Sequence, residues 1–225
     1  MIDALRHSTA HVFVDNIASP ALSVQDQHHL QKVLRLRAGE KVTCSDGVSL
    51  WRECVWNGNR LEATGGVNSV TPPSVILTVA VAPVKGDRTD LIVEKLVEIG
   101  IDRIVLLEPM DHSVVRWSSD KVGHVMERYQ RIARAASMQS RRISLPLIEG
   151  PINVADLGTD QLAFAEPGSS GSWDHVRTLV IGPEGGFSAA EIAKAPATVS
   201  LGSGILRAET AAIVGAALMV AHTLR

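Results

Sequence analysis

Thr178-Leu179-Val180-Ile181-Gly182-Pro183-Glu184-Gly185-Gly186-Phe187 is a short apolar run that breaks into a glycine-rich turn. A run with no polar alternation predicts a strand buried on both faces, as parallel strands of α/β proteins are. Ser188 and Glu191 follow with the spacing of a capping box, so a helix starts directly after the turn. The pattern then recurs. Thr198–Leu201 leads into Gly202-Ser203-Gly204-Ile205-Leu206-Arg207, and residues 209–223 read as a closing helix. Two strand–glycine turn–helix units in succession predict an α/β sheet with a ligand site at the carboxyl ends of its strands. Glycines there let the backbone approach a ligand and present free N–H and C=O groups to it.

Working back from this stretch, the alternation of strand and helix continues. Leu162–Ala165, Ile104–Leu107 and the apolar run Val75–Ala82 read as buried strands. Asp87 and Asp90 open a helix with Ile92, Leu96 and Ile99 on one face, and Gly100 ends it. A long helix follows, with Val122, Val125, Met126, Tyr129, Ile132, Ala133 and Ala136 at helical spacing. Before Thr71-Pro72-Pro73 the pattern is different. His11–Asn16 alternates like a strand, and Asp26 is a candidate cap for a short helix through His29, Leu30, Val33 and Leu34. Lys41–Ser45, Val48–Trp56 and Arg60–Thr64 are strand-like runs separated by the turn formers Asp46-Gly47 and Asn57-Gly58. The expected organisation is a small β-meander or barrel with one helix over residues 1–72, and an α/β domain with a largely parallel sheet over residues 73–225.

The chain has 225 residues, 45% of them hydrophobic and 20% charged, which is ample for a hydrophobic core and excludes a disordered protein. Cys44 and Cys54 give no disulfide framework and no metal-binding CxxC pair, and Met1–Phe13 has no sustained apolar stretch. These features favour a reducing cytoplasm. The longest uncharged apolar run, Thr210–Leu224, falls short of the roughly 20 residues a bilayer span needs, so no membrane association is expected. None of the eight histidines sits at metal-ligand spacing, so no metal is expected. The net charge is −2, which speaks against indiscriminate nucleic-acid binding. It hides a local concentration: Arg116, Lys121, Arg128, Arg131, Arg134, Arg141 and Arg142 face only Asp120 and Glu127 within the same stretch. Acids this few suggest a phosphate-binding track rather than a self-paired surface.

Neither glycine turn is a phosphate cradle. The 182–186 turn lacks the lysine of a P-loop, and the glycine turn at 202–207 has Arg207 where a dinucleotide fingerprint needs glycine. Lys85-Gly86-Asp87-Arg88 running to Glu98-Ile99-Gly100, the Arg131…Gln139-Ser140…Arg142…Pro146 pattern, Ile181–Gly186, and Leu201-Gly202…Ile205-Leu206-Arg207-Ala208-Glu209-Thr210 together resemble the RsmE family. His29…Val33-Leu34-Arg35…Gly39 and Asp46-Gly47 are similar to that family's N-terminal domain. The sequence departs from the family pattern at Met138, Ser144, Gly204 and Ala208.

The resemblance implies an S-adenosyl-L-methionine-dependent methyltransferase acting on N3 of one uridine in 16S ribosomal RNA of the small subunit. It implies an N-terminal PUA-like β-barrel, a C-terminal SPOUT α/β domain with a trefoil knot, and a homodimer. The residues suit such a cofactor, which carries an adenine, a ribose and a sulfonium but no phosphate. Ala165, Glu166, Pro167, Ile181, Gly182, Pro183, Glu184, Gly185, Gly186, Leu201, Gly202, Ile205, Leu206 and Thr210 are the expected cofactor-binding residues, with Glu166 placed for the ribose hydroxyls. Uridine N3 must lose a proton to become nucleophilic, and the charge then spreads onto O2 and O4. Arg207 is the candidate for stabilising that anion. Glu209 is a candidate base or a group that orients Arg207. Arg6, Arg35, Lys85, Arg88, Arg116, Arg131 and Arg142 are the expected RNA contacts, with Lys32 and Arg37 extending the track. Trp51 and Trp56 are candidates for base stacking, with at least one of them expected in the core. The apolar closing helix, through Ala211, Ala212, Ile213, Val214, Ala217 and Leu218, is a candidate dimer surface. Two alternatives stay open: a SPOUT methyltransferase with another RNA target, and a non-catalytic RNA-binding ribosome-assembly protein.

Overall fold

The computed structural model describes residues 3–223. They form two compact units: one runs up to Pro73 and takes in Arg134–Leu145, the other comprises Ser74–Ala133 and the chain from Pro146 on.

The first unit contains α1 (Asp3–His7), β1 (Ala10–Phe13), α2 (Val24–His28) continuing as a π-helical turn over His29–Val33, β2 (Lys41–Ser45), β3 (Leu50–Trp56), β4 (Leu61–Ala63) and β5 (Asn68–Ser69). Strands pair in the order β1-β2-β3-β4, with β5 also on β3; β1 and β2 are parallel and the rest antiparallel. Asp46 fixes the β2–β3 turn, its carboxylate accepting from the amides of Val48, Ser49 and Leu50 at 2.8–3.0 Å. Ser23, not Asp26, caps α2: its hydroxyl accepts from the Asp26 amide at 3.0 Å. Asp26 is buried and takes the Arg134 guanidinium in two bonds of 2.8 and 3.0 Å. That arrangement supplies the pairing a buried carboxylate requires. Trp51 and Trp56 are both buried, so neither is presented for base stacking. Val12, Leu30, Val42 and Trp56 form the centre of this core. Cys44 and Cys54 lie in it with free thiols, their sulfurs 3.6 Å apart.

A polar cluster sits beside that core. The His11 ring contacts Thr43 Oγ1 at 2.9 Å and Ser45 Oγ at 3.2 Å, and Ser8 Oγ reaches Thr43 at 3.2 Å. Arg141 donates to the carbonyls of Ser8 and Thr9 at 3.0 Å each. Burial, reinforced by the Arg141 charge, holds the imidazole pKa down from 6.5 to about 4.

The second unit contains β6 (Thr78–Val81), α3 (Arg88–Ile99), β7 (Arg103–Leu107), the first part of α4 (Ser119–Ser140), β8 (Leu147–Ile152), β9 (Leu162–Ala165), β10 (Thr178–Ile181), α5 (Ala189–Ile192), β11 (Thr198–Val199) and α6 (Ala208–Thr223). Its sheet is wholly parallel, in the order β11-β9-β10-β6-β7-β8. The central strands β6, β7 and β10 are buried apart from the first residues of β7 and β10, as their apolar runs require. The reading of the sequence missed β8, whose Leu-Ile-Glu-Gly-Pro-Ile breaks the apolar run with an acid, a glycine and a proline. An edge position tolerates all three. One face of the sheet packs Ala80, Val105, Phe164 and Val180 with Phe187 and Ile192. On the sheet's other side, α6 packs on α3, β10 and β6. Gly215 makes that approach possible, because a Cβ there would lie 2.4 Å from Leu179 Cδ2. No helix among the described residues is long and apolar enough to cross a membrane.

His11 titrates in the unfolded chain near 6.5 but only near 4 in the fold, so the unfolded state binds the extra proton between those values. Its contribution to stability is complete above pH 6.5 and falls away toward pH 4, by about 3 kcal/mol in all. Urea midpoints compared for wild type and His11→Gln should converge as the pH drops from 7 to 4.5. A constant difference over that range would exclude a neutral buried imidazole.

Candidate functional site

The carboxyl ends of β9 and β10 and the segment after β11 converge on one cavity of about 730 Å³. That size suits a small organic ligand. Three segments wall it: Ala165-Glu166-Pro167 beyond β9, Ile181–Phe187 beyond β10, and the residues from Leu201 into the first turn of α6. Every residue expected to bind a cofactor lines it except Thr210, whose side chain is exposed on α6. Arg88, Phe187, Gly204, Ala208 and Ala211 also line it, although none of them is among the residues expected to bind the cofactor. Ala208 and Ala211 are three apart in α6 and so share the helix face turned to the cavity.

The β10 turn is folded by its own backbone, with the Gly186 amide donating to the Pro183 carbonyl at 2.9 Å. Phe187 packs on Phe164 at 4.8 Å between ring centroids and closes against Gly182, where a Cβ would come within 3.0 Å of the ring. The helix that follows starts on the expected capping box: Ser188 Oγ accepts from the Glu191 amide, and the Glu191 carboxylate accepts from the Ser188 amide. The other oxygen of Glu191 accepts from the Asp111 amide at 3.0 Å. His112 Nδ1 meets the Gly186 carbonyl at 3.1 Å, and a Cβ on Gly185 would stand 2.8 Å from His112 Cβ. The turn is therefore pinned by the 111–112 segment, and residue 185 has no room for a side chain.

The charged groups are arranged differently from the expectation. Arg207 lines the cavity, is exposed and makes no ion pair among the described residues. Glu209 is absent from the lining and pairs with Arg88 instead of Arg207, its Oε2 standing 3.6 Å from Arg88 Nη1. That oxygen is buried and makes no hydrogen bond. Arg88 Nη2 pairs at short range with Glu184, and Arg88 Nε donates to the Lys85 carbonyl at 3.1 Å. Apart from Glu166, the rest of the lining is glycine, proline and apolar residues, and Lys85 is not part of it.

Much of the basic stretch 116–142 is engaged internally. Arg128 pairs with Asp90, Arg134 with Asp26, and Arg141 with backbone carbonyls. The acids that neutralise it come from distant parts of the chain, which a count within the stretch cannot detect. Arg142 is half-buried. Arg116, Lys121 and Arg131, together with Lys85, Arg6 and Arg35, are exposed.

A family model described as an RNA methyltransferase domain matches residues 71–220, and one described as an RNA methyltransferase PUA domain matches residues 22–55. A protein of Mycobacterium bovis named "Ribosomal RNA small subunit methyltransferase E" is 29% identical over 213 residues, covering 83% of this chain and 80% of the relative. One of the same name from Rickettsia conorii is 28% identical over 223 residues, covering 84% of each. A structure from Legionella pneumophila, described as a methyltransferase in complex with the bound cofactor SAM, superposes with a TM-score of 0.80. It is 25% identical and covers 94% of this chain and 96% of that one.

Gly185→Ala should destabilise the protein by about 1–2 kcal/mol through overpacking against His112. In a His112→Gly background, which removes the opposing Cβ, the same substitution should cost less than half as much in urea melts. Equal costs in both backgrounds would show that the two segments do not pack as closely as described.

Proposed function

The chain belongs to the RNA methyltransferase family whose members include ribosomal RNA small subunit methyltransferase E, and from that membership we propose that it methylates N3 of a specific uridine in 16S ribosomal RNA with S-adenosyl-L-methionine. The carrying observation is the cavity between the two glycine turns: glycine backbone and apolar side chains make up most of its lining, its charged residues are Arg88, Glu166, Glu184 and Arg207, and no lysine lines it to cradle a phosphate. Such a lining fits an adenine, a ribose and a sulfonium. When bound, S-adenosylmethionine supplies an electrophilic methyl group on its sulfonium.

Every other part of the task falls to the chain. The Gly182–Gly186 and Leu201–Leu206 segments hold the adenosyl portion through backbone groups, and Glu166 takes the ribose hydroxyls. Ile205, fully out in solvent at 91% exposure, with Leu206 and Phe187 supplies the apolar cover that excludes water once the site is filled. Arg207 presents its free donors to the uracil oxygens as N3 loses its proton, which is where developing charge needs them. Glu209 is not placed to take that proton, since it lies outside the lining with Oε2 buried beside Arg88, so the proton passes to solvent. Lys85, Arg116 and Arg131 in one unit, and Arg6 and Arg35 in the other, contact RNA phosphates, with Arg142 as a weaker candidate because of its partial burial.

The proposal extends to architecture. Residues 1–72 act as the RNA-binding domain and residues 73–225 as the methyltransferase domain, consistent with the two family models. The first sheet closes as a PUA-like barrel, a reading supported by β3 pairing with β2, β4 and β5. The C-terminal segment forms a SPOUT trefoil knot. Support for the knot is the chain's path: from β11 at the sheet edge it returns to the centre, where α6 packs on β10 and β6. Partial exposure of Ile213, Val214 and Leu218 on α6 supports a homodimer through that helix. The expected place of work is the cytoplasm, on the small subunit or its RNA.

Nucleoside mass spectrometry of 16S RNA from cells lacking the protein should show loss of one 3-methyluridine; an unchanged level defeats the proposal. Arg207→Ala should slow single-turnover transfer by about 100- to 1,000-fold, as for loss of an anion-stabilising donor, while RNA affinity stays within about twofold, because one contact of many is lost. A full transfer rate in that variant would remove Arg207 from the chemistry.

A further inference from the structure

The guanidinium of Arg88 touches both walls of the cavity. Nη2 pairs with Glu184 in the turn after β10, and Nη1 lies 3.6 Å from Glu209 in the first turn of α6. Nε donates to the Lys85 carbonyl at 3.1 Å, which fixes the plane of the fork. Among the described residues no other side chain hydrogen-bonds or ion-pairs with both the 182–187 turn and the 201–211 segment, and no backbone hydrogen bond joins the two. Gly182, Gly185 and Gly186 have no side chains to tether the turn, so on the cavity side it is held through Glu184 alone, with His112 on the Gly186 carbonyl as the other polar tether. A planar guanidinium engages two carboxylates through a rigid fork, whereas an ammonium does so as a flexible point charge. An RNA phosphate approaching it would compete with both carboxylates for the same charge.

We propose that Arg88 is a positioning residue: a strap that sets the separation of the two cavity walls and so preorganises the cofactor site, rather than a phosphate contact. The inference rests on the reading of this cavity as an S-adenosylmethionine site. Without the strap each glycine turn must be ordered at the moment of binding, and that cost is subtracted from affinity. Arg88 is one-third exposed, at 34%, but Glu209 Oε2 is buried, so the strap also bears on the stability of the fold.

The test is calorimetric titration of the full-length protein, without RNA, with S-adenosylmethionine. Arg88→Ala should weaken binding about tenfold, in the range of ordinary coupling between a site and its supports. Arg88→Lys should recover only part of the loss. Glu184→Gln should also weaken binding, and the double variant should be no weaker than Arg88→Ala alone. The melting temperature of the ligand-free protein should fall in Arg88→Ala, which leaves the buried Glu209 Oε2 unpaired, and should move by no more than about 2 °C in Glu184→Gln, whose pair is more exposed. Hydrogen exchange in the ligand-free Arg88→Ala protein should accelerate at residues 184–187 and in the first turn of α6. Wild-type affinity in Arg88→Ala with weakened RNA binding would overturn the strap and make Arg88 a phosphate contact. Full rescue by Arg88→Lys would overturn the two-carboxylate geometry. Failure of the wild type itself to bind would sink the function proposed above; hydrogen exchange then decides the strap by itself, and unchanged exchange rejects it.

Discussion

The close seating of α6 on β10 is the constraint on which the site depends. With no side chain at Gly215, the helix lies against Leu179, Leu201 and Ile181. A helix held there brings its first turn, and the glycine segment leading into it, beside the turn that leaves β10. A methyl group at residue 215 would stand 2.4 Å from Leu179 Cδ2, so the buried leucine side chain or the helix would have to shift. The catalytic and ligand-holding candidates are thus positioned by a packing contact well away from them.

A second contribution comes from the order of the strands. β9, β10 and β11 are neighbours and all parallel, so their carboxyl ends emerge on the same edge of the sheet. Each then turns into a loop with few large side chains: Glu166-Pro167-Gly168, Gly182–Gly186 and Gly202–Gly204. Three consecutive loops of that kind leave a hollow whose polar groups are mostly backbone. The charged groups around it are few and are spatially sorted. Arg88 is tied between two carboxylates, while Arg207 is free to meet whatever enters.

The parts of this arrangement that could be read from the sequence were those set by neighbours in the chain. β9 and β10 fall on the residues expected, the capping box at Ser188 and Glu191 is made as the spacing implied, and the glycine turns line the cavity. What could not be read depended on residues far apart. Asp26 reads locally as a helix cap, but it is the buried partner of Arg134, 108 positions away. Arg128 was counted as a free cation although Asp90 lies against it. Arg88 was assigned to RNA because nothing nearby in sequence announces Glu184 or Glu209 as its partners. In each case local charge counting failed because ion pairs are set by the tertiary fold. β8 was overlooked for a related reason: its edge position, which excuses a glycine and a proline, is a property of the sheet and not of the segment.

The central claim is that the two glycine turns form the walls of one S-adenosylmethionine site. A crystal structure of the protein grown with that cofactor tests it most directly. The account predicts density for the adenosyl group between residues 182–186 and 201–206, with Arg88 still bridging Glu184 and Glu209. Cofactor bound elsewhere on the molecule, or bound here with the two turns drawn apart and the bridge broken, would contradict it.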